Sequence, residues 1–142
     1  MIYLLDTNVV TELTTRPRPS PSVVAWAKSV PAPDLCLSVI TVAEIELGIA
    51  AAADPDRRAG YRRILDGIRH EYAERIAPIG ERESVAYLEI HKRLKRTGTT
   101  IDPPDALIAA TALANGWTLA TRNVKHLART TALVVNPWDH EP

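Results

Sequence analysis

The length and composition are typical of one soluble globular domain, with 142 residues of which 46% are hydrophobic and 24% charged. A domain of about this size buries roughly two thirds of its unfolded surface, so it needs no disulfide or structural metal to fold, and the single cysteine, Cys36, excludes an internal disulfide. The 17 basic residues balance 17 acidic ones, which gives no whole-chain electrostatic sign of a polyanionic partner.

Apolar residues alternate along the chain between short runs of strand length and helical spacing. In chain order they predict five strands, at 2–5, 35–40, 75–79, 117–120 and 133–135. Between the strands they predict helices through 9–13, from 21 to near 30, 41–52, from 55 through 72, 81–96, 103–114 and 124–129. Strands separated by helices predict an α/β domain with a mostly parallel sheet that is covered on both faces.

Capping signals set several of the predicted helix boundaries. Thr41 and Glu44 have the spacing of a capping box at a helix start. Asp102 is the expected N-cap of a later helix, with Pro103 at its first position. Gly116 is expected to end that helix.

Acidic and amide side chains lie close to the predicted strand ends. Asp6 closes the first strand, Glu44 lies just past the second, Asp105 opens the helix before the fourth, and Asn123 follows the fourth. Because ligands of parallel α/β sheets bind outside the carboxyl ends of the strands, we expect these side chains around one crevice. Carboxylates about 4 Å apart repel by about 4 kcal/mol at an effective dielectric near 20, and Mg²⁺ or Mn²⁺ is the natural cation for oxygen ligands.

Each acid also has a structural explanation. Glu44 is the third helical residue of the predicted capping box, and Asp105 complements a helix dipole. Asp6 is the least readily explained by structure, because a charge at the end of a buried strand needs compensation for its desolvation. Only the three together point to chemistry. Motifs of phosphate loops, paired cysteines, zinc proteases and serine hydrolases are absent.

Four motifs carry a resemblance to a known family, and they lie at Leu4–Val9, Ser38–Ile45, Asp105–Ala112 and Leu119–Asn123, followed by Asn136–Trp138. In this order, and in a chain of this length, they resemble the PIN-domain ribonucleases and among them the VapC-type toxins of bacterial toxin–antitoxin pairs. The resemblance implies a single PIN-like domain over residues 1–142, with three layers built from a five-stranded parallel sheet and helices on both faces.

The resemblance also implies a Mg²⁺-dependent or Mn²⁺-dependent endoribonuclease, in which metal-activated water hydrolyses an RNA phosphodiester bond. By motif position, the catalytic and metal-binding residues implied are Asp6, Glu44, Asp105 and Asn123. The side chains implied to orient ligands or contact phosphate are Thr7, Asn8 and Thr121.

The chain departs from the family pattern at two positions that are often Asp, where it has Asn123 and His126. An amide oxygen can ligate a metal but adds no charge, so a second ion is expected only together with substrate. Asp102 could supply the missing charge, and its alternative role is the helix N-cap.

Basic residues and partners complete the expectations from the sequence. Basic side chains on the rim would offset repulsion between RNA and an acidic pocket, and the candidates are Arg62, Arg63, Lys92, Arg93 and Lys95. An RNA with an exposed loop is the expected substrate class, because unpaired bases are the ones that proteins read specifically.

The resemblance also implies two protein partners. It implies a homodimer and a cognate VapB-like antitoxin that obstructs the pocket, and the candidate contacts are apolar positions near Val9 and Leu13 and on the helix 41–52.

Two other functions compete with the ribonuclease. A non-catalytic module would keep the fold and bind RNA or antitoxin, with metal binding weakened by Asn123. A phosphate-transfer receiver domain needs an acceptor Asp after a central strand and a Lys after a late strand, and the chain has neither at those places.

The sequence also bears on localisation. The start of the chain lacks the features of a signal peptide, and no apolar run approaches the roughly 18 residues of a membrane span. These features predict a cytoplasmic protein that is not bound to a membrane.

Overall fold

A parallel β-sheet of five short strands forms the centre of the computed structural model, which describes every residue from Met1 to Pro142. The strands are β1 (Tyr3–Leu5), β2 (Leu35–Ser38), β3 (Ile76–Ala77), β4 (Thr118–Ala120) and β5 (Val134–Val135). Their order is β3-β2-β1-β4-β5, and all neighbours are parallel. The predicted five-stranded parallel sheet is confirmed.

Seven α-helices cover the two faces of this sheet. They are α1 (Thr7–Thr14), α2 (Pro21–Ser29), α3 (Val39–Ala51), α4 (Pro55–Glu71), α5 (Glu81–Arg96), α6 (Pro103–Asn115) and α7 (Val124–Ala128). Consecutive strand residues point to opposite faces, so Leu4 packs in one apolar cluster with α5, α6 and α7, whereas Leu5 packs in a second with α1, α2 and α4. The predicted three-layer arrangement is therefore confirmed, and none of these helices is both long and apolar enough to cross a membrane.

The start of α3 differs from the prediction. The Oγ atom of Ser38 accepts a hydrogen bond from the backbone N–H of Ile40 at 3.0 Å, and Ser38 is the N-cap. The predicted strand 35–40 therefore ends at Ser38, and the predicted capping box of Thr41 and Glu44 is wrong. A serine cap at the end of β2 satisfies an N–H of the first helical turn, and this outweighs the preference of β-branched Val39 for a strand.

Helices α5 and α6 pack as an antiparallel pair. Near the start of α5, Arg82 donates a hydrogen bond to the carbonyl of Ala114 and Glu83 accepts one from Asn115, at the end of α6. The basic end of α5 consequently lies beside the start of α6, which carries Asp105. Asp102 occupies the predicted N-cap position of α6, but its side chain makes no capping hydrogen bond.

Candidate metal centre at the carboxyl ends of the strands

Asp6 lies where the strand order reverses, directly after the central strand β1. The residue is only 3% exposed. Oδ1 accepts the backbone N–H of Thr7 at 2.8 Å, and Oδ2 accepts the Thr121 hydroxyl at 2.7 Å and the Asn8 amide at 3.3 Å. Because β1 and β4 are neighbours, the residues that follow them meet. Asp6 is therefore held by neutral donors at the crevice that such a topology creates.

Glu44 is joined to the same site through two threonines. The hydroxyl of Thr7 donates to Oε1 of Glu44 at 2.7 Å and lies 2.9 Å from the hydroxyl of Thr41. Thr41 is fully buried, one helical turn before Glu44 on α3. Glu44 thus faces the end of β1 and has no role in a helix cap.

The carboxylates interact electrostatically. Burial raises the pKa of Asp6, the hydrogen bonds from Thr121 and Thr7 oppose that rise, and the negative charges of Asp105 and Glu44 add to it. Burial also raises the pKa of Asp105, with His126 lowering it and Asp102 raising it. Asp6, Glu44 and Asp105 therefore lie within one electrostatic field, as expected from the sequence.

None of these three acids forms an ion pair with a basic side chain, and His126 only lowers the pKa of Asp105 from nearby. The ion pairs of the protein involve other carboxylates, those of Glu12, Asp34 and Glu46. No three acidic, histidine or cysteine side chains lie close enough to enclose an ion by themselves. The carboxylates of Asp6 and Glu44 are nevertheless the oxygen ligands that a hard divalent cation prefers, and Mg²⁺ keeps several of its waters and is bound through one or two carboxylates.

Asn123 is placed beside this site but not inside it. Its side chain is exposed and forms no hydrogen bond, while its backbone N–H donates to the Thr121 hydroxyl at 3.0 Å. Asn8 bridges the same loop, since its Oδ1 accepts the backbone N–H of Arg122 at 3.4 Å. The predicted roles of Asn123 and Asn8 toward metal or substrate stay predictions.

The predicted basic rim has two different parts. Arg62 is occupied, because its guanidinium forms two hydrogen bonds with the carboxylate of Glu46, at 2.9 and 3.0 Å. The remaining candidates are exposed and form no ion pair, with Arg63 on α4 and three residues at the basic end of α5, namely Lys92, Arg93 and Lys95. The charges of these four side chains are therefore not paired with a carboxylate of the protein.

Reasoning from the sequence missed Thr41 as part of the site. Its spacing of three residues from Glu44 was assigned to a capping box, although the same spacing places both residues on one face of a helix. A buried threonine on the face that carries an acid is the signal that could have identified it.

Comparisons with known proteins agree with this architecture. The model of the PIN domain family matches residues 3–133. The chain is 38% identical over 138 residues to Toxin FitB of Neisseria gonorrhoeae, which covers 96% of this chain and 99% of that protein. It is 35% identical over 139 residues to VapC ribonuclease Y4jK of Sinorhizobium fredii, which covers 97% and 99%.

Two solved structures are also similar to this chain along nearly its whole length. The FitAcB crystal structure from Neisseria gonorrhoeae superposes with a TM-score of 0.89 at 37% identity, covering 97% of this chain and 99% of that one. VapBC2 from Rickettsia felis, solved with a DNA fragment from its promoter, superposes with a TM-score of 0.76 at 25% identity, covering 96% and 98%. The resemblance seen in the sequence motifs is confirmed, and the chain belongs to the PIN domain family.

Proposed function

We propose that the chain is a Mg²⁺-dependent or Mn²⁺-dependent endoribonuclease toxin that hydrolyses RNA phosphodiester bonds and is neutralised by a cognate antitoxin. The observation that carries the proposal is the electrostatic interaction of Asp6 with Glu44 and Asp105 at the carboxyl ends of the strands, where none of the three acids forms an ion pair. The names of relatives such as VapC ribonuclease Y4jK support it. A cytoplasmic location is part of this proposal.

Each residue of the site has a role that follows from its contacts. Asp6 and Glu44 would hold the cation, since Thr121 and Thr7 fix the orientation of their oxygens. Asp105 adds the third negative charge from the start of α6. When bound, the divalent ion supplies activation of water and neutralisation of charge on the phosphoryl oxygens. Asn123 lies beside the acidic site, where its exposed amide can contact water or substrate.

The antitoxin contact is proposed for a groove beside the acidic site. Its volume is about 360 Å³, and its lining runs from Thr7 and Glu44 along α1, α3 and α4 to Tyr61. An extended segment in this groove would end at the acids, where a basic side chain could replace the cation. Val9, which the sequence offered as a contact, is fully buried and is excluded from this role, whereas Leu47 on α3 is 72% exposed.

The homodimer is also a proposal. Val85 and Leu88 lie one turn apart on α5 and are 50% and 63% exposed, so this face of the helix offers two neighbouring apolar side chains to a second copy of the chain. We expect Leu88→Glu to convert a dimer of the full chain to a monomer in light scattering. A monomeric wild-type chain would contradict the proposal.

The first test of the function is Mn²⁺ binding, measured by electron paramagnetic resonance. We expect the wild-type chain to bind Mn²⁺, Asp105→Asn to lose that binding, and Asp56→Asn to retain it, because Asp56 is exposed on the first turn of α4. Equal binding by the wild-type chain and Asp105→Asn would contradict the assigned site. Sequencing of new 5′ ends in total bacterial RNA, with Asp105→Asn as the inactive reference, then tests cleavage.

A non-catalytic RNA-binding or antitoxin-binding module is the second candidate, and the exposed, uncharged Asn123 is the observation that favours it. Asn123→Asp separates the two. The ribonuclease predicts Mn²⁺ binding by the natural chain. The non-catalytic candidate predicts that binding appears only when the aspartate is introduced.

A further inference from the structure

Arg122 is an exposed arginine that extends from the loop after β4, beside the acidic site. Its immediate neighbour, Thr121, is fully buried and donates the 2.7 Å hydrogen bond to Asp6. Its own backbone N–H is held by Asn8, which also contacts Asp6. The position of Arg122 is consequently tied at two points to the residue at the centre of the site.

The guanidinium of Arg122 has no carboxylate partner and donates no hydrogen bond within the protein. Its one defined contact is with the ring of Trp138, whose centroid lies 5.1 Å from the guanidinium carbon. A guanidinium held over an indole ring by a cation–π contact needs none of its N–H groups for that contact, so they stay free. These are the groups that bind a phosphate in the two-point manner.

Trp138 is a fixed platform for this side chain. It belongs to a short 3-10 helix, Pro137–Asp139, in which Oδ1 of Asn136 accepts the Trp138 backbone N–H at 3.0 Å. The ring is half-buried against the apolar cluster that contains Trp26. The segment that bears it follows β5, which is the neighbour of β4 in the sheet.

We propose that Arg122 binds a backbone phosphate of the RNA beside the scissile bond, and that Trp138 is a positioning residue that holds the guanidinium there. This inference rests on the proposed ribonuclease function. An RNA strand that approaches three acids meets repulsion, and a fixed cation next to Thr121 offsets it where the strand must lie closest. The contact reads no sequence, because phosphates are alike in every RNA.

The test is the salt dependence of RNA binding by the full chain. The probe is a fluorescein-labelled single-stranded RNA of about 20 nucleotides, followed by fluorescence anisotropy. Ca²⁺ occupies the acidic site in all measurements, because it takes the same oxygen ligands, and gels verify that the probe stays intact. Thermal melting verifies that each variant is folded.

Arg122→Gln is expected to lower affinity about tenfold and to lower the slope of log K against log salt by about 0.7, the value for one phosphate contact on a single strand. Arg62→Gln is the matched control, since it removes the same charge from a guanidinium that Glu46 already binds, and the slope is expected to be that of the wild type. Arg122→Lys is expected to keep the slope and to recover only part of the affinity, because an ammonium lacks the planar fork.

Trp138→Leu tests the positioning role. It is expected to weaken RNA binding in the presence of Arg122 and to have no further effect in Arg122→Gln, since the ring acts through the guanidinium. Additive losses would overturn that role.

The phosphate contact would be overturned if Arg122→Gln kept the wild-type slope. It would also be overturned if Arg62→Gln lowered the slope as much as Arg122→Gln does. Mn²⁺ binding separates this failure from failure of the proposed function. If Arg122→Gln binds Mn²⁺ like the wild type and keeps the wild-type slope, only the arginine assignment fails. If the wild-type chain binds no Mn²⁺, both proposals fail.

Discussion

Helix α3 carries two glutamates, two residues apart, whose surroundings are opposite. Glu46 faces outward and receives hydrogen bonds from Arg62 and Arg69 on α4. Those bonds lower its pKa to about 2. Glu44 faces the end of β1, where its partner is the neutral hydroxyl of Thr7 and where Asp6 and Asp105 add negative charge.

The difference separates a charge that the protein pairs with arginines from one that it leaves without an ion pair. At Glu46 the protein supplies the counter-charge, and the result is a contact between α3 and α4. At Glu44 and Asp6 it supplies oriented neutral donors and leaves the negative charge unbalanced. Unpaired carboxylates in a partly buried site cost stability, and under the proposed function a bound cation would recover it.

The largest expected effect belongs to Asp6→Asn. An amide nitrogen at this position would face the donors of Thr7 and Thr121, so we expect RNA cleavage and Mn²⁺ binding to fall by about a hundredfold or more. Asp34→Asn is the control, because Asp34 pairs only with the N-terminal amine at 4.0 Å. Cleavage assays and electron paramagnetic resonance measure the change. Full activity of Asp6→Asn would contradict the proposed difference between the acidic site and the Glu46 ion pair.

Thr121→Val sharpens the comparison by removing one neutral donor without changing the shape of the site. The Asp6 carboxylate would lose its 2.7 Å hydrogen bond, and its pKa would rise further, so we expect Mn²⁺ affinity to fall by about 10-fold to 100-fold. Thr111→Val removes an equally buried hydroxyl on α6 that bonds only the carbonyl of Leu107. An equal loss of affinity in both variants would show a general packing effect.

The pH dependence of melting tests the cost of the unbalanced charge. The pKa values of Asp6 and Asp105 are raised in the folded chain, so their contribution to stability is present at acidic pH and is lost as the pH rises through those folded values. At neutral pH, Mn²⁺ at ten times its Kd is expected to stabilise the fold by about 1.4 kcal/mol and to raise Tm by about 3–6 °C. The gain should shrink on acidification, since protons compete for the same oxygens. A gain that does not depend on pH would contradict the assignment.

The smallest expected effect belongs to Glu46→Gln. Because the pKa of Glu46 is lowered from 4.5 to about 2, its contribution is present above pH 4.5 and is lost between pH 4.5 and 2. We expect a slightly lower Tm at neutral pH and a shallower fall of Tm in acid, with unchanged Mn²⁺ binding. Calorimetry at several pH values checks the first two, and altered Mn²⁺ binding would show that the two glutamates are coupled.

The sequence could place Asp6 and Asp105 at one edge of the sheet because that placement depends on chain order. Asp6 ends an apolar strand and Asp105 opens a helix after Pro103, and in a parallel sheet both positions fall at the same edge. The helix boundary at Ser38 was not predictable in this way, because Ser38 and Thr41 can both cap a helix, and only the folded structure shows that Ser38 caps it while the Thr41 hydroxyl meets that of Thr7. The ion pair between Arg62 and Glu46 could not be predicted from the sequence either, since the two residues lie on different helices.

By itself, the sequence determined the alternation of strands and helices, the parallel sheet and the presence of acids at strand ends, because these follow from apolar periodicity and local capping signals. Only the tertiary structure decided that Thr121 and Thr7 hold Asp6 and Glu44, that Arg62 pairs with Glu46, and that Arg122 lies over the ring of Trp138. These contacts join residues far apart in the chain. Their geometry is set by which strands are neighbours, and no local pattern of residues encodes that order.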